Sequence, residues 1–82
     1  MARYFFDLRD NDRLLPDTEG TALDSLDAAR RWAVSALSEY IKDIVPNESH
    51  RSIAVEVRDK DSRPLMKAVM VFEVEISNRV GS

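Results

Sequence analysis

The most regular pattern in the chain is helical and runs from Ser25 to Val45. Apolar residues recur there at the spacing that gathers them on one side of a helix, and they are Leu26, Ala29, Ala33, Leu37, Tyr40 and Ile44. Ser25 is a residue type that caps the first N–H groups of a helix, and Pro46 cannot continue one. The pattern predicts one long helix whose apolar side packs against the rest of the chain.

Four other stretches alternate between apolar and polar residues with the period of a β-strand. Two of them precede the predicted helix and are joined by Asp10-Asn11-Asp12, which has the composition of a turn, and two follow the helix. The predicted strands are Arg3 to Arg9, Arg13 to Leu15, Ile53 to Arg58 and Leu65 to Ile76. The last strand is apolar on both sides around Val69 to Phe72.

The order of these elements, ββαββ, predicts an α+β domain. Its simplest form is an antiparallel four-stranded sheet with one long helix packed on one face. We expect the strand order 2-1-3-4, because it keeps every neighbouring pair antiparallel. A chain of 82 residues is enough for one small core, so residues 1–82 are expected to form a single domain with a frayed tail at 77–82.

Such a fold leaves one face of the sheet without a covering element from this chain. Phe5, Val69 and Val71 are expected on that face. A contiguous apolar patch, or an unpaired sheet edge, is typical of a surface that binds another protein. We therefore predict a non-catalytic module for protein–protein interaction or homodimerisation, with Phe5, Val69 and Val71 in the interface.

The charge distribution argues against nucleic acid as the main partner. The net charge is -3, and residues 1–24 carry all of the excess, with three arginines against six acidic residues. Binding to phosphates usually requires a basic excess. The alternative that we retain is a weak RNA-binding or single-strand-binding module, in which Phe5 stacks on a base beside Arg3 and Arg9. Salt would weaken such binding steeply but would not weaken apolar association.

Few residues are candidates for catalysis. Asp7 lies inside a predicted strand, where a cross-strand arginine such as Arg58 can pair with it. His50 is the only histidine and lies in a predicted polar loop, 47–52, without a second histidine to share a metal ion. An enzyme that uses Asp7 or His50 is a third hypothesis. We expect no enzyme, no cofactor and no metal.

The chain also shows no feature that points to a membrane or an oxidising compartment. It contains no cysteine, which excludes disulfides and thiolate ligands. The first residues reach Asp7 before an apolar signal region can form, and no later segment approaches the roughly 18 apolar residues of a membrane span. We therefore expect a cytoplasmic protein.

Several short motifs, taken in order, resemble a family of short bacterial proteins that is known only as a domain of unknown function. The motifs are Arg3-Tyr4-Phe5-Phe6-Asp7-Leu8-Arg9-Asp10, then Pro16-Asp17-Thr18-Glu19-Gly20 with Leu23, then Ala28-Ala29-Arg30, and then Val55-Glu56-Val57-Arg58-Asp59 with Asp61. The resemblance covers residues 3–31 and 53–65 best. Where the family often has a second glycine in the first hairpin, this chain has Asn11. The resemblance supports the predicted fold and implies no catalytic residue.

Overall fold

The computed structural model describes residues 1–43 and 49–77, which form one sheet and one helix. The elements in chain order are β1 (Ala2–Asp10), β2 (Arg13–Leu15), β3 (Thr21–Leu23), α1 (Leu26–Ile41), β4 (His50–Arg58) and β5 (Pro64–Glu73). All strand pairs are antiparallel, and the predicted α+β class is confirmed. In these described ranges, no helix is long and apolar enough to cross a membrane.

The four predicted strands lie in the order β2-β1-β4-β5, which corresponds to the expected 2-1-3-4. The sheet differs from the predicted one by a fifth short strand, β3. It pairs with the N-terminal part of β1, where Ala2 lies opposite Leu23, whereas β2 pairs with the C-terminal part of β1. The loop 16–20 between β2 and β3 therefore lies beside the middle of β1, and this position matters for the candidate site.

Several element ends differ from the prediction. The helix ends at Ile41 with Lys42 as its C-cap, and the predicted end at Val45 lies outside the described residues. β4 begins at His50, so His50 is in a strand and not in a loop; it pairs there with Glu73 at the end of β5. The predicted last strand is shorter than expected and stops at Glu73 instead of Ile76. The predicted frayed tail lies outside the described residues from position 78 onward.

The core lies between α1 and one face of the sheet. It confirms the predicted apolar side of the helix from Ala29 onward, whereas Leu26 is 47% exposed and Ile44 lies outside the described residues. Its buried members are Ala29, Ala33 and Leu37 of α1, Tyr4 of β1, and Ile53, Val55 and Val57 of β4. The two alanines let the helix approach the sheet closely, because they add little side-chain volume. Met66, Ala68 and Met70 of β5 are only partly buried against this core, so α1 covers the centre of the sheet better than its β5 side.

The first hairpin turns at Asn11, whose backbone is left-handed with φ 54°. Asparagine tolerates this conformation better than most residues that carry a side chain. The Asn11 side chain also accepts a hydrogen bond from Ser52 N–H at 3.0 Å, and the Asn11 N–H donates to Ser52 O at 2.8 Å. Asn11 therefore makes a turn that glycine can also make, and it adds a tie to β4 that glycine lacks.

Candidate functional site

The face of the sheet opposite α1, called the open face below, alternates in sequence with the core residues. The strand register fixes which side chains lie next to one another on it, with Asp7 opposite Glu56 and Glu56 opposite Lys67. Its side chains are Phe5, Asp7 and Arg9 of β1, Ala54, Glu56 and Arg58 of β4, and Lys67, Val69 and Val71 of β5. The open face thus combines charged residues at its centre with exposed apolar residues on β5.

An ion pair between Asp7 and Arg58 anchors the centre of the open face. Arg58 Nε donates to Asp7 Oδ2 at 2.8 Å, and only 12% of the Asp7 side chain is exposed. The second carboxylate oxygen accepts from Arg58 Nη2 at 3.3 Å and from the N–H of Asp17 at 2.9 Å. The predicted cross-strand pair is confirmed. Both oxygens of Asp7 therefore have partners within the fold, which is the expected arrangement of a structural ion pair.

Asp17 completes this arrangement, although in the sequence it stands out only as part of the motif Pro16 to Gly20. Its carboxylate accepts hydrogen bonds at 3.1 Å from the N–H groups of Phe6, Glu19 and Gly20. Burial raises the pKa of Asp17, but these N–H groups outweigh burial, so the pKa lies below its usual value. Asp17 thus ties the loop 16–20 to β1. The sequence signal that could have identified Asp17 is its position three residues before Gly20. At this spacing an aspartate side chain can accept hydrogen bonds from backbone N–H groups of a turn.

The structure brings Val69 and Val71 together but places Phe5 elsewhere on the open face. Val69 and Val71 are 53% and 57% exposed. Phe5 is half-buried, and the guanidinium carbon of Arg58 lies 4.6 Å from the centre of its ring. In the sheet register Phe5 lies opposite Arg58, whereas Val69 lies opposite Ala54, four residues earlier on β4. The apolar surface on β5, called the valine patch, therefore consists of Val69 and Val71.

The arginines proposed for nucleic-acid binding have oxygen partners within the fold. Arg9 Nε donates to Glu56 Oε2 at 2.8 Å, and this hydrogen bond lowers the pKa of Glu56. Arg3 Nη1 donates to the backbone oxygen of Glu19 at 2.9 Å. A phosphate would have to compete with these contacts, so the geometry gives the nucleic-acid alternative no added support.

A second charged cluster, Asp10 with Tyr40 and Arg51, lies on the helix side of the sheet. Arg51 donates to Asp10 from Nε at 2.8 Å and from Nη2 at 2.6 Å, and the Tyr40 hydroxyl donates at 2.7 Å. The hydrogen bonds from Arg51 and then from Tyr40 lower the pKa of Asp10 to about 2. The same contact raises the pKa of Tyr40. This cluster fastens the last turn of α1 to the end of β1 and the start of β4.

The two residues that were candidates for catalysis do not come together. His50 is exposed at the start of β4, with Nδ1 3.5 Å from Glu73 Oε2. Asp7 lies opposite Glu56, which is farther along β4 by roughly 20 Å at the rise of an extended strand. Among residues 1–43 and 49–77, no group of three or more His, Asp or Glu side chains is placed to hold a metal ion.

A shallow depression of about 430 Å³ lies beside the Asp7–Arg58 pair. Asp7, Glu56, Arg58, Leu65 and Lys67 are among the residues that line it. Its carboxylates already accept hydrogen bonds from arginines, as described above, so a charged ligand would have to displace an internal ion pair. The charged groups of the depression are therefore occupied within the fold.

Comparison with known proteins gives one result for this chain. A family model described as Domain of unknown function (DUF6894) matches residues 3–71. No curated protein and no solved structure matches the chain significantly. The matched range includes the Asp7–Arg58 pair, Asp17, the Asp10 cluster and both residues of the valine patch. The resemblance noted in the sequence is thereby confirmed, and the description of the family assigns it no activity.

Proposed function

This chain belongs to the family described as Domain of unknown function (DUF6894), and from its geometry we propose that it is a non-catalytic module that associates with another copy of itself. The observation that carries this proposal is the valine patch: two adjacent valines, each more than half exposed, on a strand with only one neighbour among the described strands. We also propose a cytoplasmic location, which the sequence predicts.

The surroundings of the valine patch support self-association. Leu65 lies near the start of the same strand and is 37% exposed. Burying apolar surface of this kind contributes about 25 cal/mol per Å² removed from water. A long edge strand with exposed apolar residues is also the type of element that pairs with another chain unless it is protected.

The charged residues of the open face support a non-catalytic role. Asp7 is held by Arg58 and by the Asp17 N–H, and Glu56 is held by Arg9. A general acid or base needs a proton-transfer position that is open to a substrate. The carboxylate oxygens of Asp7 and Glu56 instead accept hydrogen bonds from arginines of the same sheet. This is the arrangement of an ion pair that stabilises a fold.

The proposal is tested by the solution mass of the protein over a dilution series, measured by sedimentation at low and high salt. We expect a dimer that persists at high salt, because apolar association is not screened. Val71→Lys should weaken the dimer by about tenfold or more, since it removes one apolar side chain from each copy and adds a charge.

The matched control is Leu14→Lys. Leu14 is 44% exposed and lies on β2, at the opposite edge of the sheet, so this variant should remain as dimeric as the parent protein. A parent protein that is monomeric at all concentrations would overturn the proposal. So would a dimer that Val71→Lys leaves unchanged.

A further inference from the structure

The hydrogen-bonding pattern of β5 determines which of its backbone groups face the outer edge of the sheet. Val74 N–H donates to Ser49 O at 2.7 Å, one step beyond the pair formed by Glu73 and His50. Bonded and non-bonded positions alternate along an antiparallel pair, so the even-numbered residues of β5 bond to β4. The odd-numbered residues direct N–H and C=O groups to the outer edge, where no described strand pairs. They include Lys67, Val69, Val71 and Glu73.

We propose that the partner at this edge is the β5 strand of a second copy, paired antiparallel about a two-fold axis at Met70. This inference rests on the proposed function above and specifies its contact. In this register, Lys67 of each copy lies opposite Glu73 of the other, and Val69 lies opposite Val71. Opposite charges and matched β-branched residues are both favourable cross-strand pairs.

Neighbouring registers do not give this match. If the axis moves by one residue to Val71, Glu73 of one copy lies opposite Val69 of the other, and Lys67 lies opposite Glu75, which is beyond the end of β5 at Glu73. If the axis moves to Val69, Lys67 lies opposite Val71 and Glu73 lies opposite Leu65. Both shifts separate lysine from Glu73 and place a carboxylate against an apolar side chain. Pairing about Met70 is therefore the register that the side chains favour.

The helix side of the sheet fits the same register. A two-fold axis normal to the sheet places the helix sides of both copies on the same side of the joined sheet. In the register about Met70, Ala68 of one copy then lies opposite Phe72 of the other on that side. A groove of about 420 Å³ runs between α1 and this part of β5, and Val34, Leu37, Ala68 and Met70 are among the residues that line it. Val34 is 48% exposed. The phenyl ring of Phe72 from the second copy would pack beside the small Ala68 and cover this groove.

The chemistry of β5 also explains why a second copy is the occupant. A strand that pairs here must be apolar on both faces, because Val69 and Val71 lie on one face and Met66, Ala68 and Met70 on the other. It must also carry an acid opposite Lys67 and a base opposite Glu73. The β5 strand itself meets all of these requirements.

A charge exchange across the proposed axis tests this register. Glu73→Lys places two lysines opposite each other at both symmetric positions and should weaken the dimer by about tenfold. Lys67→Glu should have a similar effect. The double variant, Lys67→Glu with Glu73→Lys, restores opposite charges between the copies and should return the dissociation constant to within about threefold of the parent value. Circular dichroism and urea unfolding of each variant verify that the monomer is folded.

The possible results separate this inference from the function on which it rests. Weaker association of both single variants with recovery in the double variant supports pairing about Met70. If none of the three changes the dissociation constant while Val71→Lys still does, the register is wrong but self-association through the valine patch stands. If the double variant is weaker than either single variant, the proposed pairing is also wrong. A parent protein that never dimerises overturns both.

Discussion

At the scale of single residues, several acidic side chains fasten loops and strand ends to the sheet. Asp17 accepts three backbone N–H groups and shapes the loop 16–20. Asp59 does the same on a smaller scale: its carboxylate accepts from the N–H groups of Asp61 and Arg63 at 2.9 Å, which lowers its pKa. Carboxylates held in this way stabilise the fold only while they are ionised.

Asp10 gives the clearest pH prediction, because its pKa is about 2 in the folded protein and close to 3.9 in an unfolded chain. Its ionised form therefore contributes stability that is fully present above about pH 5 and is lost as the pH falls towards 2. The size of this contribution is about 2 kcal/mol. Asp10→Asn should lower the free energy of unfolding by at least about 2 kcal/mol at pH 7 and should make the loss of stability between pH 5 and 2 smaller. Urea unfolding across this pH range measures both effects.

The control for this prediction is Asp12→Asn in the same turn. Asp12 is exposed, so its replacement should leave the acid-induced loss of stability close to that of the parent protein. The other carboxylates with lowered pKa values, Asp17, Glu56 and Asp59, are present in both variants and cancel in the comparison. Equal pH profiles for Asp10→Asn and the parent protein would contradict the assigned role of Asp10.

Residue contacts could be anticipated where both partners lie in stretches with a clear strand alternation. The Asp7–Arg58 pair was predictable, because strand alternation places both on one face. The contact between the Phe5 ring and Arg58 was not predictable, because it depends on the conformation that the long Arg58 side chain takes when it pairs with Asp7. The Asp10–Arg51 contact was missed because the residues around Arg51 have no apolar alternation and were assigned to a loop.

At the scale of secondary structure, the long elements follow directly from the hydrophobic period. The helix and the two strands after it combine many periodic positions, which makes their type predictable. β3 has only three residues, Thr21–Leu23, too few to show a period, and it is a strand only because β1 is beside it. β5 was predicted too long because the apolar residues Val74 and Ile76 continue after the strand ends at Glu73.

The start of α1 allows a direct test at this scale. The Ser25 hydroxyl accepts a hydrogen bond from Ala28 N–H at 3.1 Å, as predicted for an N-cap. Ser25→Ala should therefore lower the free energy of unfolding by about 1 kcal/mol. Ser35→Ala is the matched control in the helix interior, where Ser35 is exposed and alanine is the better helix former. Urea unfolding measures the stability of both variants. Equal losses of stability would contradict the capping role of Ser25.

At the scale of the whole molecule, the part of the sheet around β1 is covered by other segments, whereas the outer edge at β5 is not covered by any described strand. The loop 16–20 and β3 lie along β1, and α1 covers the centre of the sheet. β5 pairs only with β4 among the described strands. Its apolar residues are exposed on the open face and only partly buried on the helix side. Pairing of two β5 strands would join two sheets into one continuous sheet with both helices on the same side. The sequence predicts the exposed valines, but the free edge beside them becomes clear only from the strand order.

Amide hydrogen exchange of β5, measured residue by residue by NMR at low and high protein concentration, tests the central proposal most directly. The N–H groups of Met70 and Phe72 point to β4 and should be protected at both concentrations, which provides an internal reference. The N–H groups of Val69 and Val71 point to the outer edge. We predict that they exchange rapidly in dilute protein and slowly in concentrated protein, as pairing protects them. Rapid exchange of Val69 and Val71 at every concentration, with Met70 and Phe72 still protected, would contradict association through this edge.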